Sequence, residues 1–171
     1  MEEIMVYSEN KKELYEEVVL QLTGVFEDCP HIIANLSNAS AVLNQAMKEI
    51  NWVGFYLCEN WNMKGKMNEQ LLILGPFQGK PACVEIAKGR GVCGTAVEKN
   101  EVMLVKDVHE FPGHIACDVA SRSEIVLPIH VSGKVIGVLD IDSPFLARFD
   151  EEDKAGLEKV VAVIEEMLQV V

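Results

Sequence analysis

The sequence predicts an α+β fold, with helices at both ends of the chain and a mostly antiparallel sheet between them. Apolar residues recur at helical spacing near the start of the chain and again near its end. Between these ends, short runs rich in β-branched and aromatic residues alternate with glycine and proline turns. The 171 residues suffice for one domain with its own core. We therefore expect a single domain over residues 1–171, with its core over about 33–168.

Three amphipathic helices are predicted. The first covers about 8–27, and the second covers 33–50 after an interruption at Pro30. The last helix follows Asp150, whose side chain is expected to cap it, while Asp153 places a negative charge in its first turn. The apolar stripes of all three helices are expected to face the core.

Six strands are expected in the middle of the chain. One connection between strands is predicted from Gly75-Pro76 to Gly79-Lys80-Pro81, and a tight hairpin turn is predicted at Ser132-Gly133-Lys134. The strands are predicted at 52–57, 71–74, 83–86, 102–105, 125–131 and 135–141. The segment 106–122 has no clear periodicity, and long ordered loops in compact domains are usually functional.

Charge and composition exclude several classes of protein. With 15 basic and 27 acidic residues, the net charge of −12 opposes binding to nucleic acid or to an anionic membrane. No apolar run approaches the roughly 20 residues that span a bilayer, and the acidic start lacks the pattern of a signal peptide. Five cysteines are an odd number for a disulfide framework. We expect a cytoplasmic protein in which any disulfide is transient.

Three cysteines, Cys83, Cys93 and Cys117, lie in surroundings rich in glycine and charge. A thiol in such a place becomes a reactive thiolate, a metal ligand or half of a disulfide, whereas a buried cysteine is an inert apolar group. The surroundings of Cys29 and Cys58 show no sign that their thiols are reactive, and we interpret both as structural.

Two histidines, His109 and His114, lie close to Cys117 along the chain and are able to lower the pKa of its thiol. Together with Cys83 and Cys93 they also offer a possible zinc site. The spacing contains no paired unit of the kind typical of zinc sites, so the metal signal is weak and no bound metal is expected.

Aromatic residues flank a glycine in the strand at 52–57. Period-two alternation places Trp52, Gly54 and Tyr56 on one face of this strand. That face is suited to wall a small apolar group of a ligand, although a second buried face of the sheet explains the pattern as well.

Carboxylates end the strand at 135–141. Asp140 and Asp142 are two residues apart and share one side of the sheet. If they lie near Glu124, three carboxyl groups converge in one cleft, and at least one pKa rises. A protonated carboxylic acid is then available to donate a hydrogen bond or a proton. Exposed aspartates at a strand end are the simpler alternative.

Several long motifs follow one another in an order that is similar to one family. They are GPFQGKPAC, which ends at Cys83, GRGVCGTA around Cys93, the segment 107–118 from DVH to CD, which contains Cys117, SRSEIVLP around Glu124 and GVLDIDSP around Asp140. The chain resembles the free methionine-R-sulfoxide reductases, which are single GAF domains. The resemblance covers about 50–149, and the terminal helices fit the same fold.

The resemblance implies a role for each of the three thiols. Cys117 is expected to be the nucleophile and Cys83 the thiol that resolves it, giving a Cys83–Cys117 disulfide. Cys93 is the auxiliary or alternative partner, in a Cys93–Cys117 disulfide. A sulfoxide sulfur becomes electrophilic when its oxygen is protonated, so Glu124 and Asp142 are expected to supply the acid.

The resemblance also implies the substrate and the partners. Free L-methionine-(R)-sulfoxide is expected to bind with Trp52 and Tyr56 at its border, and its polar side is expected to be formed by Glu124, Asp140 and Asp142. Its methyl group suits Trp52, and its ammonium group suits Asp140 with Glu124. Thioredoxin, which receives electrons from NADPH through thioredoxin reductase, is the expected electron donor. No bound cofactor is required, and a homodimer is implied.

Two other hypotheses remain open from the sequence. A GAF domain often serves as a non-catalytic sensor, here of a cyclic nucleotide or a similar small molecule. The second hypothesis is a zinc-bound module that uses the thiols and histidines described above as ligands.

Overall fold

The computed structural model of the protein describes residues 6–62, 65–114 and 118–170. Four α-helices and six strands form in the order α1, α2, β1, β2, β3, α3, β4, β5, β6, α4. The helices are α1 Lys11–Phe26, α2 Ile32–Ala46, α3 Gly91–Lys99 and α4 Glu151–Val170, and a short 3-10 turn covers Val108–Glu110. The strands are β1 Trp52–Glu59, β2 Asn68–Gly79, β3 Glu85–Ala87, β4 Met103–Val105, β5 Ser123–Val131 and β6 Lys134–Ser143.

One six-stranded sheet carries the fold, in the order β3-β2-β1-β6-β5-β4. Every strand pair in it is antiparallel. The two longest pairings join β1 to β2 and β5 to β6, and β1 and β6 lie together at the centre. The predicted α+β class with an antiparallel sheet is confirmed.

The two faces of the sheet pack into two different apolar clusters. On one face, apolar side chains such as Phe55 and Leu139 form the main core with α1, α2 and α4. On the other face, Trp52, Tyr56 and Val138 belong to a second apolar cluster that includes residues of α3. Alternation along β1 and β6 sends successive side chains to these two clusters. Side chains two residues apart on β6 therefore share one face, as the sequence predicted for its aspartates.

The ends of the chain are fastened to each other by a buried ionic network. Asp153 of α4 is 1% exposed, and it receives a hydrogen bond from the Tyr15 hydroxyl at 2.8 Å. Lys11 and Arg148 pair with the same carboxylate at 2.7 and 3.3 Å. Asp150 caps α4 as predicted, because its Oδ1 accepts hydrogen bonds from the backbone N–H of Glu152 and of Asp153.

Three predicted boundaries are wrong. β2 continues through the expected connection at Gly75-Pro76 and pairs along β1 as far as Gly79, with an irregularity near Gly54 that absorbs the register change. β3 begins at Glu85, so Cys83 lies in the loop before it. α2 ends at Ala46, because the next residue, Met47, has an extended backbone with a ψ of 120°.

In the part of the chain that the structure describes, no helix combines the length and the apolar character needed to cross a membrane.

Candidate functional site

A cleft opens on the α3 side of the sheet, where β1, β5 and β6 meet the loops around α3. It contains about 540 Å³ of empty space, a volume that includes open solvent at its mouth. Its walls bring together side chains that are far apart in sequence: Trp52, Tyr56, Lys80, Arg90, Cys93, His114, Asp118, Ser121, Glu124, Asp140 and Asp142. The predicted binding residues therefore meet in one place.

Aromatic rings form one wall of the cleft. Trp52 stacks between Tyr56 and Phe77, with ring centroids 5.9 and 5.2 Å apart. Gly54 makes this stack possible, since a Cβ at that position would lie 2.3 Å from the Phe77 Cβ and 2.8 Å from the Trp52 ring. The glycine between two aromatic residues is thus a packing requirement of the wall itself.

The same two aromatic residues hold the loop that carries Cys83. The Trp52 indole N–H donates to the backbone carbonyl of Lys80 at 3.1 Å, and the Tyr56 hydroxyl donates to that of Cys83 at 2.9 Å. Both bonds are made from a rigid central strand. The position of the Cys83 loop over the cleft is therefore set by β1.

Three carboxyl groups form the opposite, polar side of the cleft. Strand pairing places Asp142 beside Trp52 and beside Glu124, and it places Asp140 opposite Gly54. Glu124 and Asp140 are each only 6% exposed, so they are not the exposed strand-end groups of the simpler alternative. The predicted convergence of three carboxyl groups is present in the structure.

Burial raises the pKa of all three carboxyl groups. Desolvation lifts the pKa of Asp140 to about 7, while its contacts with Cys93 and Glu124 partly oppose the rise. The pKa of Glu124 is raised well above its usual range by desolvation and then by the charges of Asp140 and Asp142. Desolvation and Asp140 also raise the pKa of Asp142. The contact between Asp140 and Glu124 lowers the pKa of Asp140 and raises that of Glu124, so Asp140 ionises before Glu124.

Because of these raised pKa values, the free energy of unfolding of the protein falls as pH rises. Folded Asp140 keeps its proton to about pH 7, whereas the unfolded chain releases it near pH 4. The folded state therefore loses free energy relative to the unfolded state across this interval. We expect the free energy of unfolding of Asp140→Asn, relative to that of the original chain, to rise by roughly 1–4 kcal/mol from pH 4 to pH 8. Urea unfolding at both pH values measures this change.

Asp28→Asn is the matched control for that measurement. It makes the same chemical change at an exposed position whose left-handed φ of 56° suits asparagine. An equal pH dependence of the gain in both variants would contradict a buried proton at Asp140.

The surroundings of Cys93 are helical and buried. Cys93 lies in the first turn of α3 and is 4% exposed. Its Sγ is 3.9 Å from Glu124 Oε1, in the geometry of a weak S–H donor to a carboxyl oxygen. Desolvation and then the charge of Asp140 raise the pKa of this thiol well above its usual value. Cys93 is thus a neutral thiol and not an activated nucleophile.

Of the other two cysteines in the predicted redox set, the structure describes Cys83 but not Cys117. Cys83 is disulfide-bonded, whereas Cys93 is a free thiol. Cys117, the predicted nucleophile, lies outside the described residues. Cys58 is buried and free, and burial raises its pKa to about 11, which agrees with a structural role. Cys29 is free and partly exposed.

Polar contacts fix the segment that follows position 117. Asp118 Oδ2 accepts a hydrogen bond from the side-chain amide of Asn51 at 3.2 Å and lies 3.8 Å from Lys80 Nζ. The same Asn51 amide donates to the Ser121 hydroxyl at 3.2 Å. Lys80 lies in the loop that carries Cys83, so this ion pair joins that loop to Asp118.

The zinc set considered from the sequence does not assemble among the described residues. His109 and His114 pack with ring centroids 6.4 Å apart, and burial lowers the pKa of His114. Cys83 is in a disulfide, which removes its thiolate from any ligand set. Within the described ranges, the group with metal-ligand spacing is instead Cys93, Glu124 and Asp140.

Sequence reasoning missed the polar residues that border the cleft from its loops. Arg90, Asn51, Lys80 and Ser121 all belong to this border. Their roles depend on contacts across the fold, for which no motif spacing gives a signal. The one available hint was the glycine-rich start of α3, where Arg90 precedes a helix whose N-terminus faces the cleft.

Comparison with known proteins identifies the fold. The family model for the GAF domain matches residues 31–168. The chain belongs to the GAF domain family. It is 49% identical over 159 residues to the Escherichia coli K12 protein named free methionine-R-sulfoxide reductase, covering 93% of this chain and 91% of that protein.

Two solved structures with bound substrate are also similar to this chain. Free methionine-R-sulfoxide reductase from Neisseria meningitidis, in complex with its substrate, is 42% identical, covers 100% of both chains and superposes with a TM-score of 0.88. The fRMsr of Staphylococcus aureus, in complex with substrate, is 50% identical, covers 96% of this chain and 99% of that one, and has a TM-score of 0.82. The resemblance predicted from the motifs is confirmed for this GAF domain.

Proposed function

We propose that this GAF domain reduces free L-methionine-(R)-sulfoxide to L-methionine. The observation that carries the proposal is the cleft, in which an aromatic wall at Trp52 and Tyr56 faces the carboxyl groups of Glu124 and Asp142, whose pKa values are raised by burial. The relatives that bear this activity in their names are similar to the chain over nearly its whole length. An oxidoreductase is therefore the class that best fits the site.

Each part of a free amino acid has a counterpart in the cleft. The substrate ammonium group fits Asp140, because its Oδ1 is buried and finds no hydrogen-bond donor among the described residues. A bound cation lowers the pKa of that carboxyl group and holds it ionised. The methyl group fits against the Trp52 ring. Arg90 and the N-terminus of α3 line the remaining side and suit the substrate carboxylate.

The reaction needs a thiol and an acid on opposite sides of the sulfoxide. Burial raises the pKa of Glu124, so its acid form is favoured and is able to hydrogen-bond or protonate the sulfoxide oxygen. Cys117 attacks the sulfur, the oxygen moves to the Cys117 sulfur, and the thiol proton ends on the sulfenic oxygen as methionine leaves. The substrate sulfur is reduced by two electrons and Cys117 is oxidised by two.

A second thiol then condenses with the sulfenic acid, so that a disulfide forms and one water leaves. Cys83 is the better candidate for this step than Cys93. Cys83 is a disulfide-bonded cysteine, whereas Cys93 is a free thiol with a raised pKa, fixed inside a helix. We therefore assign Cys83 to resolution, and Cys93 to the auxiliary role.

An external dithiol must return two electrons and two protons to the disulfide, and thioredoxin supplied by NADPH is the proposed donor. Location in the cytoplasm and assembly as a homodimer remain predictions from the sequence. A sensor of cyclic nucleotides is the weaker alternative, because ionisation of Asp140, whose pKa is about 7, places a negative charge in the cleft that opposes a phosphate.

The test is a direct assay of each substrate form. The protein is mixed with dithiothreitol and with free methionine-R-sulfoxide, free methionine-S-sulfoxide or a peptide that contains methionine sulfoxide, and methionine is quantified by mass spectrometry. We expect turnover of the free R form alone. Equal turnover of both epimers, or none of the R form, would contradict the proposal.

A further inference from the structure

One cluster in the cleft has the composition of a metal site. The Cys93 sulfur and one carboxyl oxygen each from Glu124 and Asp140 all lie within 4.8 Å of one another. The three residues are 4%, 6% and 6% exposed, so their side chains face each other away from bulk water. Three separate elements, α3, β5 and β6, supply them. A rigid framework thus holds one sulfur and two oxygen donors together.

A second observation points to a missing cation. Asp140 Oδ1 is buried and has no hydrogen-bond partner in the described part of the chain. A buried carboxyl oxygen without a donor or a cation costs free energy, so it is rare in folded proteins. Among the described residues, no ion pair of lysine, arginine or histidine reaches Cys93, Glu124 or Asp140. Within the described part of the chain, no cationic side chain therefore balances the charge that these groups acquire when they ionise.

We propose that Cys93, Glu124 and Asp140 bind one divalent transition-metal ion of the zinc class when no amino acid occupies the cleft. Zinc binds thiolate sulfur at about 2.3 Å and carboxylate oxygen at about 2.0–2.2 Å, which places neighbouring ligand atoms roughly 3.3–3.8 Å apart. The Cys93 Sγ to Glu124 Oε1 distance of 3.9 Å is already near that range. The cluster needs to contract by only about an ångström overall.

The ligand set also selects the ion. Thiolate sulfur favours zinc and related ions over magnesium and calcium, which prefer oxygen ligands alone. Binding would replace the protons that the thiol and carboxyl groups now hold, so protons are released as the metal enters. The fourth position of a tetrahedral site would face the open cleft and take water.

Metal and amino acid would compete, because Asp140 is a ligand of the first and the proposed partner of the ammonium group of the second. This competition rests on the proposed function, whereas the binding of metal does not. A metal ion in the cleft would keep methionine sulfoxide out. The site is therefore a candidate for reversible inhibition by zinc.

Cobalt(II) is the spectroscopic probe for this site, because a thiolate ligand gives it a near-ultraviolet charge-transfer band. The titration uses protein with the Cys83 disulfide intact, so that Cys83 offers no thiolate, and a Cys29→Ser background, because Cys29 is partly exposed. We expect the band to saturate at one equivalent of cobalt and to disappear on addition of zinc.

Paired variants locate the ligands. Cys93→Ser should abolish the band, whereas Cys58→Ser, which removes an equally buried thiol outside the cleft, should retain it. Glu124→Gln should weaken zinc binding at least about tenfold in a chelator competition, whereas Glu158→Gln on the exposed face of α4 should not. A band that survives in Cys93→Ser, or its absence from the starting protein, would overturn the proposal.

Methionine serves as the competitor in a separate titration. We expect it to raise the apparent dissociation constant for zinc in proportion to its own occupancy of the cleft. Metal binding that is indifferent to methionine would place the ion elsewhere and overturn the shared site. Turnover is measured independently with chelator present, so a failed metal titration leaves the reductase proposal standing, and a failed turnover assay leaves the metal titration interpretable.

Discussion

Cys117→Ser should lower kcat/KM for the reduction of free methionine-R-sulfoxide by about three orders of magnitude or more. Serine keeps nearly the same shape but is a far weaker nucleophile, and its oxygen is unable to accept oxygen from the substrate as a sulfenic acid. Methionine release with dithiothreitol, at saturating and at low sulfoxide, measures the effect. Isothermal titration with methionine checks that the variant still binds the product.

The control for this loss is Cys58→Ser, which should stay within about threefold of the original chain. Cys58 is 1% exposed, and its sulfur faces the Val135 carbonyl at 3.8 Å, in an apolar setting that needs no thiol chemistry. The oxidised protein should also give a peptide that joins Cys83 to Cys117 in a mass map. An active Cys117→Ser, or a map in which Cys117 is joined to neither Cys83 nor Cys93, would refute the assigned roles.

The sequence alone predicted much of this fold, because periodic patterns are local. The helical stripes near both ends and the long strands at 125–131 and 135–141 lie close to α1, α4, β5 and β6. The face shared by Asp140 and Asp142 followed from the period of two along a strand. Features of this kind need only the geometry of one segment.

The errors arose where partners across the sheet override local signals. Gly75-Pro76 has the composition of a turn, yet β2 runs straight through it because β1 offers a pairing partner as far as Gly79. The contact of Asn51 with Asp118 and Ser121 joins residues that are far apart in sequence. Long-range hydrogen bonds of this kind carry no local pattern.

The cleft also explains why the protein keeps groups that weaken its fold. Glu124, Asp140 and Cys93 are buried, and desolvation raises all three pKa values, which favours the neutral form of each group. A core of apolar residues in their place would be more stable. Chemistry on a sulfoxide instead needs a proton held at neutral pH, and that is what burial provides.

Glu124→Gln should therefore lower kcat for methionine-R-sulfoxide reduction by about a hundredfold or more, because glutamine has the same shape but has no acidic proton to give. The raised pKa of Glu124 adds a second signature. In the original chain the rate should fall as pH rises through that pKa, since the acid form is lost, and this alkaline limb should flatten in Glu124→Gln. Single-turnover rates measured from pH 6 to pH 9 report both effects.

Two comparisons make the acid assignment specific to Glu124. Glu158→Gln makes the same chemical change on the exposed face of α4 and should leave both rate and pH profile unchanged. Asp142→Asn tests the other candidate acid, and we expect a smaller loss there, because the contact with Ser121 partly lowers the pKa of Asp142 and favours its ionised form. If Asp142→Asn removed the alkaline limb and Glu124→Gln kept it, the acid would be Asp142. The buried proton on Glu124 would then serve only to balance charge around Asp140.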